Sequence, residues 1–210
     1  MAAAEAHGPA DFLTPEERVS RIARRLGGTQ RRWIESAREL VGAGDAVWAL
    51  GASPGVFAIV SALLARSGGS VLAIVAERAA ASELREARDH LRAPDARLDV
   101  LELDAAGGSP GGCDPANLDR LLDRQRAPTL VRLDLPGEEM KVLAGAGRLL
   151  TDVRPILLVT VTEPTRAAVG GLLQRGRYQL FDAFTNPADR LRLELPAGNT
   201  LAIPGRLASA

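Results

Sequence analysis

Two amphipathic patterns precede the first β-rich segment of the chain. In residues 13–26 (LTPEERVSRIARRL) apolar residues recur at helical spacing, and Thr14 and Glu17 form a predicted capping box around the first turn. The pattern then repeats in TQRRWIESARELVGAG, with Thr29 as the predicted N-cap and Gly42 as the end of the helix. The sequence therefore predicts two N-terminal helices.

From residue 46 onward, short β-rich runs alternate with helical patterns. Strands are predicted near residues 46–50, 70–75, 98–103, 129–134 and 155–161, and helices near 55–67, 79–91, 116–125, 138–151 and 165–175. This alternation is typical of a doubly wound, mostly parallel sheet in a Rossmann-like α/β fold. The last two extended segments, YQLFDAF and LRLELPAGNTLAIP, have no helix between them and predict a C-terminal antiparallel hairpin.

Three segments follow from this pattern. Residues 1–12 are expected to form a flexible arm, residues 13–43 a helical pair, and residues 44–207 an α/β domain. The strand and helix pattern alone fits several Rossmann-like architectures.

Charge and cysteine content narrow the classes of partner and compartment. Twenty-six basic residues balance twenty-six acidic ones, so we expect neither a nucleic-acid nor a membrane partner. The single cysteine, Cys113, excludes an intramolecular disulfide, and His7 and His90 lie too far apart in sequence for metal-ligand spacing. The start of the chain has no signal-peptide pattern, and no apolar run approaches the ~20 residues that span a bilayer. We therefore expect a cytoplasmic protein without a metal.

Five motifs, in order, resemble the FkbM-type family of S-adenosylmethionine (SAM) methyltransferases. The most specific is LVRLDLPGEEMKVLAGAGRLL, which is similar to the family segment around its fourth strand. The others are GDAVWALGASPGVF, LDRLL, RPILLVTV and LLQRGRYQLFD. The resemblance covers residues 42–205 and implies that residues 44–207 form a methyltransferase-like domain of the class I fold. It also implies SAM as the cofactor and methyl transfer as the activity.

The resemblance implies that the loop after the first strand binds SAM through Gly51, Ala52, Ser53 and Gly55. Glycines at this place permit backbone conformations that a Cβ would block, so that amides at the start of the next helix can face the carboxylate of the cofactor. The glycines are four residues apart, which does not fit the G-x-G-x-x-G loop of a Rossmann dehydrogenase.

Three positions depart from the family by lacking an acid. Ala49 replaces the acid before the first glycine, and Val75 stands where an acid at the end of the second strand binds the ribose hydroxyls. Thr160 replaces the acid of the fifth strand. Together these departures predict a SAM site that has been partly eroded, or one rebuilt for another ligand.

Two acids near the predicted cleft offer compensation. Glu77 follows Val75 by two residues and could reach the ribose, or it is an acid favoured by the dipole at a helix N-terminus. Asp104 follows the third strand, where such folds contact the adenine amino group, or it forms a turn before two glycines.

Asp134 is the candidate catalytic residue, because it ends the fourth strand at the carboxyl edge, where open α/β sheets bind ligands. By resemblance it would orient the acceptor hydroxyl or act as a general base. The competing interpretation is that Asp134 and Glu139 only organise the loop and helix start around Gly137.

Two functional hypotheses remain open. The first is a SAM-dependent enzyme that methylates a hydroxyl of a small metabolite or sugar. The second is a catalytically inactive methyltransferase-fold protein that acts as a structural or regulatory partner, docked through the two N-terminal helices in a homo- or hetero-oligomer. In that case Trp33 and Trp48 would be interface anchors, but the interpretation favoured for both is core packing.

Overall fold

The computed structural model describes residues 13–51, 55–75, 77–90, 96–102 and 115–205, and for residues 90 and 115–117 it describes the backbone only. The helices are α1 (Pro15–Arg25), α2 (Gly28–Leu40), α3 (Val56–Ala65), α4 (Arg78–His90), α5 (Glu139–Ala144) and α6 (Arg166–Arg175). The strands are β1 (Ala46–Leu50), β2 (Ser70–Val75), β3 (Arg97–Glu102), β4 (Leu130–Leu133), β5 (Ile156–Thr160), β6 (Tyr178–Asp182) and β7 (Asn199–Pro204).

The strands form one seven-stranded sheet in the order β3-β2-β1-β4-β5-β7-β6. Strands β1 to β5 are mutually parallel, and β7 runs antiparallel between β5 and β6. The predicted doubly wound sheet with a C-terminal antiparallel hairpin and two preceding helices is confirmed. Because β6 is antiparallel to β7, it runs in the same direction as β5, and its carboxyl end lies at the same edge.

Successive side chains of β1 point to opposite faces of the sheet, and the core is accordingly divided into two layers. All five residues of β1 are buried. Val47 and Ala49 belong to the layer under α1, α2 and α3, whereas Trp48 and Leu50 belong to the layer under α5 and α6. A strand buried on both faces needs apolar residues at every position, which explains the continuous run in the sequence.

The two N-terminal helices begin differently. In α1 the predicted capping box is confirmed: the Thr14 hydroxyl accepts from the Glu17 amide at 3.2 Å, and the Glu17 carboxylate accepts from the Thr14 amide at 2.8 Å. The predicted cap of α2 at Thr29 is wrong, because the helix already begins at Gly28 and Gly27 occupies the N-cap without a side-chain hydrogen bond.

Three other predicted elements are shorter or differently coiled. Residues 115–123 form a 3-10 helix, and the helix predicted over 138–151 ends at Ala144 and is followed by a π-helical turn at 149–153. The second hairpin strand begins only at Asn199, since Pro196 has no amide to donate to a sheet and only Leu193 bridges β6 before it.

Both tryptophans are core residues. Trp33 is 5% exposed in the layer under the N-terminal helices, and Trp48 is 2% exposed in the other layer. The Trp48 indole also donates a hydrogen bond to the Arg126 carbonyl at 3.2 Å. Neither ring is therefore an exposed anchor for a partner. Among the helices that the structure describes, none has the length and apolar character to cross a bilayer.

Candidate functional site

The sheet register brings four of the singled-out positions to one edge. Leu50 of β1 pairs with Ile74 of β2 and Leu133 of β4. The next residues along these strands are Gly51, Val75 and Asp134, and Thr160 follows the β5 partner of Leu133. The carboxyl ends of the parallel strands therefore place these residues side by side, as the motif spacing predicts.

Gly51 packs so closely against the backbone of Asp134 that a side chain would not fit. Its φ is +73°, and its amide donates to the Ile74 carbonyl at 2.8 Å. A Cβ at this position would lie 2.0 Å from the backbone carbonyl oxygen of Asp134. The absence of a side chain at Gly51 thus allows the ends of β1 and β4 to touch.

Gly55 is the N-cap of α3, with φ +71° and no side-chain cap. A Cβ there would lie 2.7 Å from Cδ1 of Leu84 on α4. The helix therefore starts with backbone amides that no capping side chain occupies, which suits an anionic group. The loop residues Ala52 and Ser53, and also Asp104, lie outside the described residues.

The end of β2 lacks a carboxylate on the core side. Val75 is 2% exposed and packs in the layer under the N-terminal helices. Glu77 is exposed and directly precedes α4, where its carbonyl accepts from the Ala81 amide at 3.0 Å. Of the two, only Glu77 presents a polar side chain to solvent at this edge.

Asp134 forms an ion pair with a buried arginine on its own strand. Nη2 of Arg132 lies 2.6 Å from Oδ2 of Asp134, and the two side chains are 6% and 24% exposed. Among the described residues, Oδ1 of Asp134 has no hydrogen-bond donor. One oxygen of the carboxylate is thus held by Arg132, and within the described residues the other has room for a donor from a ligand.

Aromatic rings enclose the Arg132 guanidinium. Its central carbon lies 4.7 Å from the Trp33 ring centre on α2 and 5.2 Å from the Phe57 ring centre on α3. Burial lowers the pKa of Arg132 below its ordinary value, while the Asp134 carboxylate acts in the opposite direction. The group stays charged, because an arginine does not lose its proton in a protein.

The pairing of β1 with β4 shows which side chain an acid at position 49 would contact. Ala49 is fully buried and pairs directly with Arg132 across the β1–β4 ladder. An acid at this position would be a neighbour of the guanidinium. With alanine there, Asp134 is the only carboxylate paired with Arg132 among the described residues. Sequence reasoning missed this pair, although the i,i+2 spacing of Arg132 and Asp134 on one strand would have indicated it.

Glu139 connects two loops of the same edge. It is fully buried, and its carboxylate accepts from the Thr162 amide at 2.9 Å and from the Thr165 hydroxyl at 3.1 Å. Burial raises its pKa, but hydrogen bonds from its own amide and those of Gly137 and Thr162, together with the Thr165 hydroxyl, outweigh this effect and lower it. Glu139 therefore organises the start of α5 and the turn after β5.

Thr160 ends β5 with its hydroxyl buried. Among the described residues, Oγ1 of Thr160 has no hydrogen-bond partner. In the part of the chain that the structure describes, no group of three or more His, Cys, Asp or Glu side chains is placed so that it could bind a metal ion. Cys113 lies outside this part.

Solved structures share this fold at low sequence identity. A SAM-dependent O-methyltransferase from Thermotoga maritima aligns with a TM-score of 0.56 at 12% identity, over 94% of this chain and 74% of its own. A precorrin-6y C5,15-methyltransferase from Geobacter metallireducens gives a TM-score of 0.54 at 14% identity, over 84% and 86%. Fibrillarin from Aeropyrum pernix, solved with natively bound SAM, gives 0.54 at 14% identity, over 83% and 76%.

These likenesses show that the chain has the Rossmann-like methyltransferase fold. No family model matches the sequence, and no curated protein matches it.

Replacing Gly51 by alanine is expected to destabilise the protein by about 3 kcal/mol or more, because the new Cβ overlaps the Asp134 backbone. Gly44→Ala is the matched control: its φ is +85°, but a Cβ there meets nothing within 4 Å, so only the backbone cost of about 1–2 kcal/mol applies. Urea unfolding measures both variants. Equal losses would contradict the close contact at Gly51.

Asp134→Asn is expected to lower the free energy of unfolding by about 3 kcal/mol, because it leaves the buried Arg132 charge without a counterion. The control is Glu138→Gln, which breaks an exposed pair with Lys141 at 3.4 Å and should cost below about 1 kcal/mol. The double variant Arg132→Met/Asp134→Asn should recover most of the loss. If Asp134→Asn costs no more than the control in urea unfolding, the pair does not stabilise the fold.

The lowered pKa of Glu139 predicts an acid-sensitive contribution to stability. Because the folded pKa lies below the ordinary value of 4.5, the stabilisation is complete above that pH and is lost as the pH falls through the folded pKa. Glu139→Gln should therefore cost roughly 1–3 kcal/mol at neutral pH and flatten the loss of stability below pH 4.5. Thermal unfolding from neutral pH to about pH 3 tests this. Parallel curves for the two proteins would disprove it.

Proposed function

We propose that this protein is a SAM-dependent methyltransferase of the FkbM type that methylates a hydroxyl oxygen of a small metabolite or sugar. The observation that carries the proposal is the position of Asp134 at the carboxyl edge of a methyltransferase fold, where Arg132 holds one of its carboxylate oxygens beside the loop that begins at Gly51. Solved proteins with this fold include a SAM-dependent O-methyltransferase and a SAM-bound fibrillarin.

The residues at this edge meet part of what SAM requires. The uncapped amides at the start of α3 would bind the carboxylate of the methionine moiety. The exposed Glu77 would accept hydrogen bonds from the ribose hydroxyls in place of the residue at position 75. By resemblance, Ala52, Ser53 and Asp104 would complete the site.

The same edge also explains why the affinity for SAM should be low. Val75 offers no acceptor for the ribose, and a hydrogen bond to a charged acceptor contributes roughly 1.5–3 kcal/mol. Loss of a bidentate ribose contact corresponds to about 10²- to 10⁴-fold weaker binding. Contacts from Glu77 would recover part of this loss.

Bound SAM supplies an electrophilic methyl group on a sulfonium. Oδ1 of Asp134 would accept the hydrogen bond of the acceptor hydroxyl and assist the removal of its proton. Arg132 fixes the other carboxylate oxygen, so that Asp134 presents Oδ1 in one orientation. Catalysis would then come mainly from holding the acceptor oxygen in line with the methyl group.

A second candidate function is an inactive methyltransferase-fold protein that serves as a structural or regulatory partner. It is favoured by the apolar residues at positions 49 and 75, both of which are buried. In this case the ion pair of Arg132 and Asp134 would be retained for stability alone.

Calorimetric titration with SAM and with S-adenosylhomocysteine separates the two candidates. The enzyme proposal expects binding of both, with Kd between about 1 μM and 1 mM. Glu77→Gln should weaken binding about tenfold or more, whereas Glu83→Gln, which changes an exposed acid on α4, should leave it unchanged. If neither ligand binds at about 1 mM, the enzyme proposal fails and the inactive candidate takes its place.

A further inference from the structure

A cleft of about 530 Å³ lies between α2 and the segment after β6. One wall is formed by α2 from Arg32 to Glu39, and the other by residues of the segment from Ala183 to Arg190. Its volume falls in the range of about 300–1,000 Å³ that is typical of small-molecule sites. Because β6 runs in the direction of β5, this cleft opens at the carboxyl edge of the sheet.

The carboxylates of the cleft already have arginine partners. Glu39 forms a bidentate pair with Arg190, with one contact of 2.8 Å between Oε2 and Nη2. Glu35 lies 3.3 Å from Arg31. In these pairs the arginines neutralise the negative charge of the two acids. The carboxylate oxygens can still accept hydrogen bonds from hydroxyl groups of a ligand.

Two guanidinium groups lining the cleft have no carboxylate partner among the described residues. Arg32 is exposed, and its guanidinium carbon lies 5.5 Å from the ring centre of Phe184. Arg38 donates to the Ser20 hydroxyl at 2.5 Å. With both acids paired, the cleft presents unpaired positive charge, and the planar fork of Arg32 suits a carboxylate or a phosphate.

The wall opposite α2 is held in place by several contacts. Phe184 packs edge-on against Trp33 with ring centres 4.8 Å apart, and its amide donates to the Asp182 carboxylate at 2.8 Å. The Ala183 carbonyl accepts from Arg190 at 3.2 Å and from the Ser36 hydroxyl at 3.4 Å. A site formed in advance of binding loses less conformational entropy when a ligand enters.

We infer that this cleft binds a small hydroxylated metabolite that carries an oxyanion, either a carboxylate or a phosphate. Arg32 binds the oxyanion, and the acceptor atoms of Glu35, Glu39 and the polar segment 185–186 bind the hydroxyls. Binding here does not require SAM, so the inference stands or falls separately from the proposed methyl transfer.

Titration calorimetry without SAM tests the inference with gluconate, glucose 6-phosphate and neutral glucose as probes. At least one anion should bind with Kd of about 1 mM or tighter, and glucose should bind at least about tenfold more weakly. Binding by only one of the two anions identifies the oxyanion class. The affinity for the anion should fall as salt is added, because the contact is ionic.

The variant Arg32→Gln should weaken binding of the anion by about tenfold or more. Arg25→Gln removes an exposed arginine from α1, outside the cleft, and should leave the affinity unchanged. Arg32→Lys should give an intermediate affinity, since it keeps the charge but loses the fork. Absence of binding by both anions at about 10 mM would overturn the inference, as would equal affinity in wild type and Arg32→Gln or an affinity that salt does not change.

Discussion

A buried positive charge constrains the centre of this structure. The Arg132 guanidinium lies in the interior, on the middle strand (β4) of the seven-stranded sheet, with a carboxylate on one side and two aromatic rings on the others. An isolated ion in such surroundings would be too costly to keep, so the surrounding groups must be in place together. Asp134 supplies the counterion, and the rings of Trp33 and Phe57 supply a weaker electrostatic partner.

This arrangement joins α2 to the sheet through side-chain contacts. Trp33 belongs to α2 and Phe57 to α3, so two helices far earlier in the sequence complete the environment of Arg132. Trp33 also packs against Phe184, which follows β6. A series of contacts through Arg132, Trp33 and Phe184 thus connects the candidate catalytic residue with the cleft beside α2.

The sequence predicts the strands and most helices well. This is because the spacing of apolar residues along a strand or helix reflects which of its faces are buried. It fails where a single local feature competes with the pattern. Thr29 is a good capping residue, yet α2 begins one residue earlier after Gly27. Pro196 interrupts an alternating run, and the last strand begins only after it. Of the candidate site, the edge position of Asp134 and its i,i+2 spacing from Arg132 can be read from the sequence, whereas the burial of the guanidinium depends on Trp33 and Phe57, which are distant in sequence.

The contact at Gly51 limits what this glycine can reveal about a bound cofactor. The space that a side chain would need is occupied by the main chain of β4, not by a ligand. Selection for folding alone would therefore retain this glycine in descendants that had abandoned the cofactor. Gly51 therefore reflects the architecture of the sheet, and the chemistry of the protein must be inferred from the polar residues around it.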